Sequence, residues 1–411
     1  MSDAVTDSPT PVYNPFDPEF RANPYPFYDI LRDQAPAFDT GYGLIVLTRY
    51  SDVGHVLRSN DFSRDIDANA TPSDDPVAVR RRERRSDSSK TILNLDPPDH
   101  TRLRRLVSKA FTPTAIEALR PSIESQVDAV LDRAAERGTM ELVDELAFPV
   151  PFQVISDLLD IPSDRADEMR EWSQYLTAAL EPTTTLETLD AAESALVKLR
   201  AYLTEVIDAR RRSLGSDVLS ALLVAEEEGD RLSTEELLSF VVLLYVAGHE
   251  TTVNLIGNGM LALLRHPAEL DRWRNDPSLD ANAVDELLRY DGPVQHTVRI
   301  PMVPMSFGEG DQRVDVAPGT SVLTVLGAAN HDPTVFDDPH TLRLDRPNAN
   351  RHLAFAAGIH YCLGSSLARL EATVALGRLI RRFEHIELLS EPTFRDRLTI
   401  RGVDRMELSV T

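Results

Sequence analysis

The spacing of hydrophobic and polar positions changes several times along the chain, and each change marks a boundary. From Asn23 to Arg58 the pattern predicts a helix (PYPFYDILRDQ), a short strand at Leu44 to Thr48 and a second helix (SDVGHVLRS). The signal then lapses. Residues 60 to 96 are polar, broken by Pro72 and Pro76, and carry RRRERR at 80 to 85, so a long loop is expected, with the basic run as a solvated face. From Asp99 to about Arg289 apolar positions recur at helical spacing, in stretches at 99 to 110, 114 to 137, 151 to 160, 163 to 181, 186 to 213 and 217 to 228, with no strand alternation between them. Residues 295 to 327 turn to Val and Thr around Pro318-Gly319, which predicts short antiparallel strands. A proline-rich coil, a helix over Leu363 to Phe383 and short strands in 384 to 411 complete the chain. Without βαβ alternation, a doubly wound sheet is disfavoured.

The most apolar stretch, Leu237 to Gly248, is stopped by His249 and Glu250, short of the ~20 residues of a membrane span. It reads as a buried helix, opened by a capping box at Ser233-Thr-Glu-Glu236. With 42% apolar and 27% charged residues the chain folds, and 411 residues by length alone would suit two to four domains. A net charge of −23 argues against nucleic acid as a partner. The first fifteen residues hold no Lys, no Arg and no apolar run, so a cytoplasmic protein without a membrane partner is expected. Cys362 is the single cysteine, which excludes an intrachain disulfide and any multi-cysteine metal site.

Four constellations carry candidate chemistry. Cys362 sits in His352-Leu-Ala-Phe355-Ala-Ala-Gly358-Ile-His360-Tyr-Cys362-Leu-Gly364, ahead of a helix containing Arg369 and Glu371. A lone cysteine is commonly a small buried hydrophobe; at a helix start, the free N–H groups and positive dipole end favour a thiolate able to ligate metal. Ala247-Gly248-His249-Glu250-Thr251-Thr252 places a glycine, costing ~1 kcal/mol in a helix, and a carboxylate inside the apolar helix. Close helix packing at Gly248 and a solvent-facing Glu250 are the alternative. Glu286 and Arg289 lie three apart on one helical face, worth only ~0.3 kcal/mol if exposed. His100 and Arg104 share a face of the helix opened by Asp96-Pro-Pro-Asp, as a basic surface or an anion clamp. His55, His331 and His385 receive no role.

Taken together, FxxGxHxCxG followed by LARxE resembles the haem-binding loop of soluble bacterial cytochromes P450, with Ala356 where the family usually has a glycine after the Phe. The resemblance implies a mainly α cytochrome P450 fold with a smaller β-rich region. It also implies a single haem domain over 1–411, with β-rich parts at roughly 40–60, 295–327 and 384–411. It makes Cys362 the axial ligand of haem b iron, within a loop shaped by Phe355, Gly358 and Gly364. Ala247 and Gly248 would stand where a local widening of the helix admits dioxygen, and Glu250 and Thr251 would be the acid and alcohol that deliver protons. Glu286 and Arg289, with Arg346 ahead of Arg343 as third member, would form a buried ion-pair support. His100, Arg104, Arg299 and His360 would hold the propionates.

The implied activity is hydroxylation or epoxidation of a hydrophobic molecule, polyketide, terpenoid or steroid-like, with dioxygen. Electrons would come from a ferredoxin and its NAD(P)H-dependent reductase, since the length leaves no room for a flavin domain; Arg102, Arg105, Lys109 and Arg369 are the expected docking patch. Substrate would meet residues 62 to 92, 172 to 186, Leu243 to Thr251 and Val294 to Val298. A peroxide-driven oxidase and a non-oxidising haem-binding relative, such as a gas sensor, are the nearer alternatives. A cysteine hydrolase using Cys362 and His360 lacks an oxyanion-loop pattern.

Overall fold

Ser233 and Glu236 close both arms of the capping box, and the helix they open, Thr234–Arg265, is the one around which the others pack. The computed structural model describes residues 12–86, 90–109, 111–215, 217–227 and 230–411. Residues 1–11 of the fifteen read for a secretory signal, and the stretch ends at 110 and 228, lie outside the described residues. Helices Pro149–Leu159, Leu186–Arg212, Asp280–Asp291 and Ser365–Arg382 lie against the central helix, which is why its apolar residues run round nearly the whole circumference. By length and composition it could cross a membrane, yet 67% of its most apolar window is buried inside the protein.

The strand-rich regions assemble from distant segments. A five-stranded sheet runs in the order Ala37–Asp39, Leu44–Leu47, Ser321–Val325, His296–Pro301, Phe62–Ser63. Ser321–Val325 pairs antiparallel with His296–Pro301, as expected, but parallel with Leu44–Leu47. A second sheet corrects the wholly helical reading of 99 to 289. Gly138, in the left-handed region at φ 71, ends helix Arg120–Arg137, and strand Thr139–Glu141 pairs with Glu407–Val410 at the far end of the chain. Its partner is too distant in sequence for local periodicity to register. The 114 to 137 stretch is likewise two helices, Pro113–Glu117 and Arg120–Arg137, the second starting where Pro121 can sit without an N–H.

Residues 60 to 96 are not the expected loop. They contain strand Phe62–Ser63 and helices Ile66–Asn69 and Pro76–Ser86. Asp75 accepts from the Ala78 N–H at 2.8 Å at the start of the last of these, and Arg80 binds Asp190 at 3.0 Å and Glu193 on helix Leu186–Arg212. The basic run is therefore helical and paired at Arg80 with acids that sequence distance hides.

Glu286 and Arg289 are fully buried, with Nε to Oε2 at 2.7 Å and Nη2 to Oε1 at 2.9 Å. Arg346 completes the trio, its Nε 3.1 and 3.0 Å from the two Glu286 oxygens. Arg343 contributes only its backbone N–H, at 3.0 Å from Glu286 Oε1. The guanidinium groups also donate to the carbonyls of Asn330, Pro339 and Thr341 (Arg289) and of Asp337, Asp338 and Thr341 (Arg346), so the trio sets the path of the 330 to 346 coil. Removing one member of a buried pair costs ~3 to 5 kcal/mol. Arg289→Ala is accordingly expected to lower the thermal midpoint steeply and deplete soluble protein; an unchanged melting curve by circular dichroism would refute this.

Candidate active site

Cys362 follows the 3₁₀ turn Gly358–His360 and precedes helix Ser365–Arg382, with Gly364 as its N-cap, where an added Cβ would meet nothing within 4 Å. The Cys362 N–H donates to the Phe355 carbonyl at 3.0 Å and closes the loop. Two loop residues have positive φ: Gly358 at 71°, where a Cβ would stand 2.3 Å from the Leu57 oxygen, and Ala356 at 57°. Ala356 thus occupies the left-handed region where a glycine would be unstrained. Burial pushes the Cys362 thiol up, against the opposing pull of the Gly364 N–H, Arg104 and Arg369. The expected helix-dipole activation is therefore outweighed by desolvation within the protein itself; a metal ion on the sulfur deprotonates a ligating thiol outright. Among the described residues, no group of three or more His, Cys, Asp or Glu side chains could hold a metal ion. A metal held here through one sulfur must bring its other ligands with it.

The Phe355 ring is buried beneath the Arg369 guanidinium, 4.6 Å from its centroid. Asp285 holds Arg369 at 2.7 Å and lies 3.3 Å from His352 Nε2. Arg102 is bound to Glu236 on the central helix. Two members of the expected docking patch are thus engaged in internal ion pairs, because acids absent from their own segments pack beside them.

Five basic groups converge from four segments: Arg64, His100 with Arg104, Arg299, and His360. The His100 and His360 rings lie 4.3 Å apart, and Arg104 donates to the Tyr361 carbonyl at 2.8 Å. Arg299 is 4% exposed and bonds Thr297 Oγ1 at 3.0 Å and the Val298 carbonyl at 2.9 Å; burial, then the Arg64 charge, bring its guanidinium down to about 9. Burial, followed by Arg299 and the other cations, takes His360 down to about 3, and burial with Arg104 lowers His100. Nδ1 of His100 and both ring nitrogens of His360 are buried without hydrogen-bond partners. The nearby Asp96 is occupied by the Arg64 N–H at 2.8 Å and by Ser63. Buried Arg299, half-buried Arg64 and Arg104 and the unpartnered imidazoles suit an anion of two carboxylates, the chemistry of the haem propionates. Arg64 belongs to no motif and lay in the apparent loop, so sequence reading missed it.

On the central helix, Ala247 is exposed and Leu243, Leu244 and Thr251 are half-buried, while Tyr245, His249, Glu250 and Thr252 are buried. One stripe of an otherwise enclosed helix therefore faces open space. The Thr251 hydroxyl donates to the Ala247 carbonyl at 3.0 Å and Thr252 to that of Gly248 at 3.3 Å. The expected local widening is not present: the helix is α throughout, and a Cβ on Gly248 would stand 3.2 Å from Ile155, so this glycine serves close packing with helix Pro149–Leu159. Glu250 is 1% exposed and bound by Arg395 at 2.8 Å. Burial pushes the Glu371 carboxyl well above the usual carboxylate range, against the opposing pull of Thr252. Sequence reading saw Glu371 only as the end of a motif and did not register Arg395.

The expected substrate-facing regions at 172 to 186 and 294 to 298 meet at the tail. Glu181 accepts from the N–H groups of Leu398 at 2.8 Å, Thr399 at 2.9 Å and Ile400 at 3.3 Å; Arg397 donates to Thr177 Oγ1 at 2.7 Å, and Thr399 Oγ1 lies 3.1 Å from His296 Nε2. Residues 395 to 400 had no functional signature of their own. On the outer side of the cysteine loop, Tyr50, Arg58, Arg351, Ala356, Gly358 and Tyr361 line an open cleft of about 630 Å³.

Ala356→Gly is expected to raise stability by roughly 0.5–1 kcal/mol through relief of the left-handed alanine, and Gly358→Ala to lower it by at least ~2 kcal/mol. Thermal melts of the two variants check both signs.

The cytochrome P450 family model matches residues 38–401. Cytochrome P450 107B1 of Saccharopolyspora erythraea is 42% identical, with 88% of each chain covered. Cytochrome P450 monooxygenase PikC of Streptomyces venezuelae is 39% identical over 91% of this chain and 87% of its own. The solved structure of the bacillaene polyketide synthase cytochrome P450 PksS of Bacillus subtilis superposes with a TM-score of 0.87 at 34% identity, covering 97% of this chain and all of that one. A thiol-bearing loop, a cluster of basic side chains and a helix open along one stripe, on this fold and with these relatives, place the chain in the cytochrome P450 family of haem monooxygenases.

Proposed function

We propose that the whole chain acts as one haem domain, oxidising a hydrophobic small molecule of polyketide, terpenoid or steroid-like type with dioxygen. The observation that carries the reading is the convergence of Arg64, His100, Arg104, Arg299 and His360, with unpartnered imidazole nitrogens, beside Cys362. Cys362 would bind the iron of haem b, Phe355, Gly358 and Gly364 would shape the loop beneath it, and the basic groups would hold its propionates. Ala247 and Thr251 on the open stripe would face the other side. When bound, haem supplies dioxygen activation and insertion of one oxygen atom into the substrate. The protein's share is to position substrate, limit water and move protons. Thr251 offers a hydroxyl half-exposed to that side, Glu250 the neighbouring acid, and apolar Leu243 and Leu244 complete the stripe. The PksS name supports a polyketide among the substrate classes. The Glu286, Arg289 and Arg346 trio would act as structural support for the loop.

Electrons would come from NAD(P)H through a reductase and ferredoxin in the cytoplasm, and secondary metabolism is the setting proposed. Docking of an acidic ferredoxin would centre on the exposed side chains of Arg105 and Lys109 and on the Arg58 and Arg351 cleft.

The reduced protein with carbon monoxide is expected to give the red-shifted Soret band of thiolate ligation, lost in Cys362→Ser; a wild-type band without that shift defeats the reading. Thr251→Ala should retain haem but lower product per electron about tenfold, with the electrons appearing as peroxide. Unchanged coupling would place proton delivery elsewhere. Turnover with hydrogen peroxide but none with ferredoxin would instead favour the peroxide-driven oxidase.

A further inference from the structure

Arg395 lies in the C-terminal hairpin formed by Thr393–Phe394 and Val403–Arg405, far in sequence from the central helix whose acid it binds. The seat of this hairpin is visible in the helix as a polar stripe: Glu250, Asn254 and Asn258, spaced by four, are all buried on a helix otherwise rich in Leu and Val. Each meets the hairpin. Arg395 Nη1 is 2.8 Å from Glu250 Oε2; a Cβ on Gly402 would stand 2.0 Å from Asn254 Oδ1; Asn258 accepts from the Val403 N–H at 3.2 Å and donates to the Arg401 carbonyl at 3.3 Å. The Arg395 N–H in turn donates to the Gly402 carbonyl at 3.0 Å, so the guanidinium is carried on a seated frame.

The two oxygens of Glu250 have different surroundings. Arg395 takes Oε2. Oε1 lies 3.7 Å from Nε2 of His249, a fully buried ring whose Nε2 has no hydrogen-bond partner. His249 Nδ1 is 2.6 Å from the Tyr245 carbonyl, which places the ring proton there and leaves Nε2 as a neutral acceptor. A carboxylate oxygen beside a free acceptor is the one that can carry a proton. Beyond Arg395, Asp404 Oδ1 is 3.5 Å from its Nε and 61% exposed, so the charged chain from Glu250 reaches the surface through the hairpin.

We propose that Arg395 is a positioning residue for oxygen chemistry: it pins Glu250 through Oε2, leaves Oε1 as the proton-carrying oxygen, and sets the solvent end of the proton path at the C-terminal hairpin. The inference rests on Glu250 and Thr251 being the proton-delivery pair. In each transfer a solvent proton, relayed through water so that the relaying water ends neutral, is taken up at Oε1, and Oε1 releases one to the Thr251 hydroxyl, which passes on its own. Arg395 keeps its bond to Oε2 throughout and takes no part in the transfer itself.

The test uses the haem-loaded enzyme with a ferredoxin system and dioxygen as the only oxidant, following NADH consumption and the division of reduced oxygen between peroxide and water. Glu250→Gln and Arg395→Gln are each expected to lower the water share about tenfold. The double variant should fall no further than either single one, and Arg395→Lys should recover most of the loss. The carbon monoxide spectrum reports whether each variant keeps its haem thiolate, and thermal melts report the hairpin's contribution to folding. A double variant whose loss is the product of the single losses, or an Arg395→Gln enzyme that matches the wild type while Glu250→Gln fails, overturns the role of Arg395 and leaves the proton-delivery pair standing. A Glu250→Gln enzyme that matches the wild type overturns the pair and the inference with it.

Discussion

Two fully buried guanidiniums share the single carboxylate of Glu286, and much of the coil leading to the cysteine is arranged around that imbalance. One anion cannot neutralise both Arg289 and Arg346, so the remaining donors must find carbonyl oxygens. They find them on Asn330, Asp337, Asp338, Pro339 and Thr341, which a segment without regular secondary structure would otherwise present to water. Asn330 carries the order one step further, its side-chain oxygen accepting from the Leu353 N–H at 2.7 Å at the start of the cysteine loop. The loop is held by backbone contacts that derive from a buried charge problem on the neighbouring helix Asp280–Asp291.

The site itself is built differently. Around Glu286 two buried guanidiniums share one carboxylate; around His360, Arg104 donates to the Tyr361 carbonyl, Arg299 to Thr297 and the Val298 carbonyl, and Arg64 to the Val298 carbonyl. Arg64, His100, Arg104 and Arg299 all lower the affinity of His360 for a proton, and two imidazoles have ring nitrogens without partners. Buried ring nitrogens without partners raise the free energy of the protein alone and favour a ligand that meets them. Stability is concentrated in the support and withheld at the place where a cofactor would bind.

The central helix combines both roles on different stripes. Its apolar faces are covered by other helices, its Ala247 and Thr251 side faces open space, and its Glu250, Asn254 and Asn258 side receives the hairpin. Gly248 illustrates how close these stripes lie: read from sequence as a point of widening, it packs against Ile155 in an unbroken α-helix. Two residues on, Glu250 turns toward the tail and Thr251 after it toward the open side, as a rotation of about 100° per residue requires.

The sequence by itself determined the helical character of the chain, the capping box, the identity of the one sulfur and the four motifs, because these depend on spacings of a few residues and on chemistry that few residue types supply. Resemblance to the family set Ala356 apart as standing where a glycine is usual, and the backbone there is left-handed. Only the tertiary structure decided which acid each arginine meets. Arg102 finds Glu236, Arg369 finds Asp285, Arg80 finds Asp190, and Glu250 finds Arg395, each across a separation at which no periodicity in the chain carries information. Strand Thr139–Glu141 and the helix in 76 to 86 were hidden for the same reason, since one needs a strand at the opposite end of the chain and the other is braced by acids on another helix. Local patterns report what a segment can become in isolation; long-range ion pairs and sheet ladders form only when the chain has folded, and at this site they choose the partners of the charged groups.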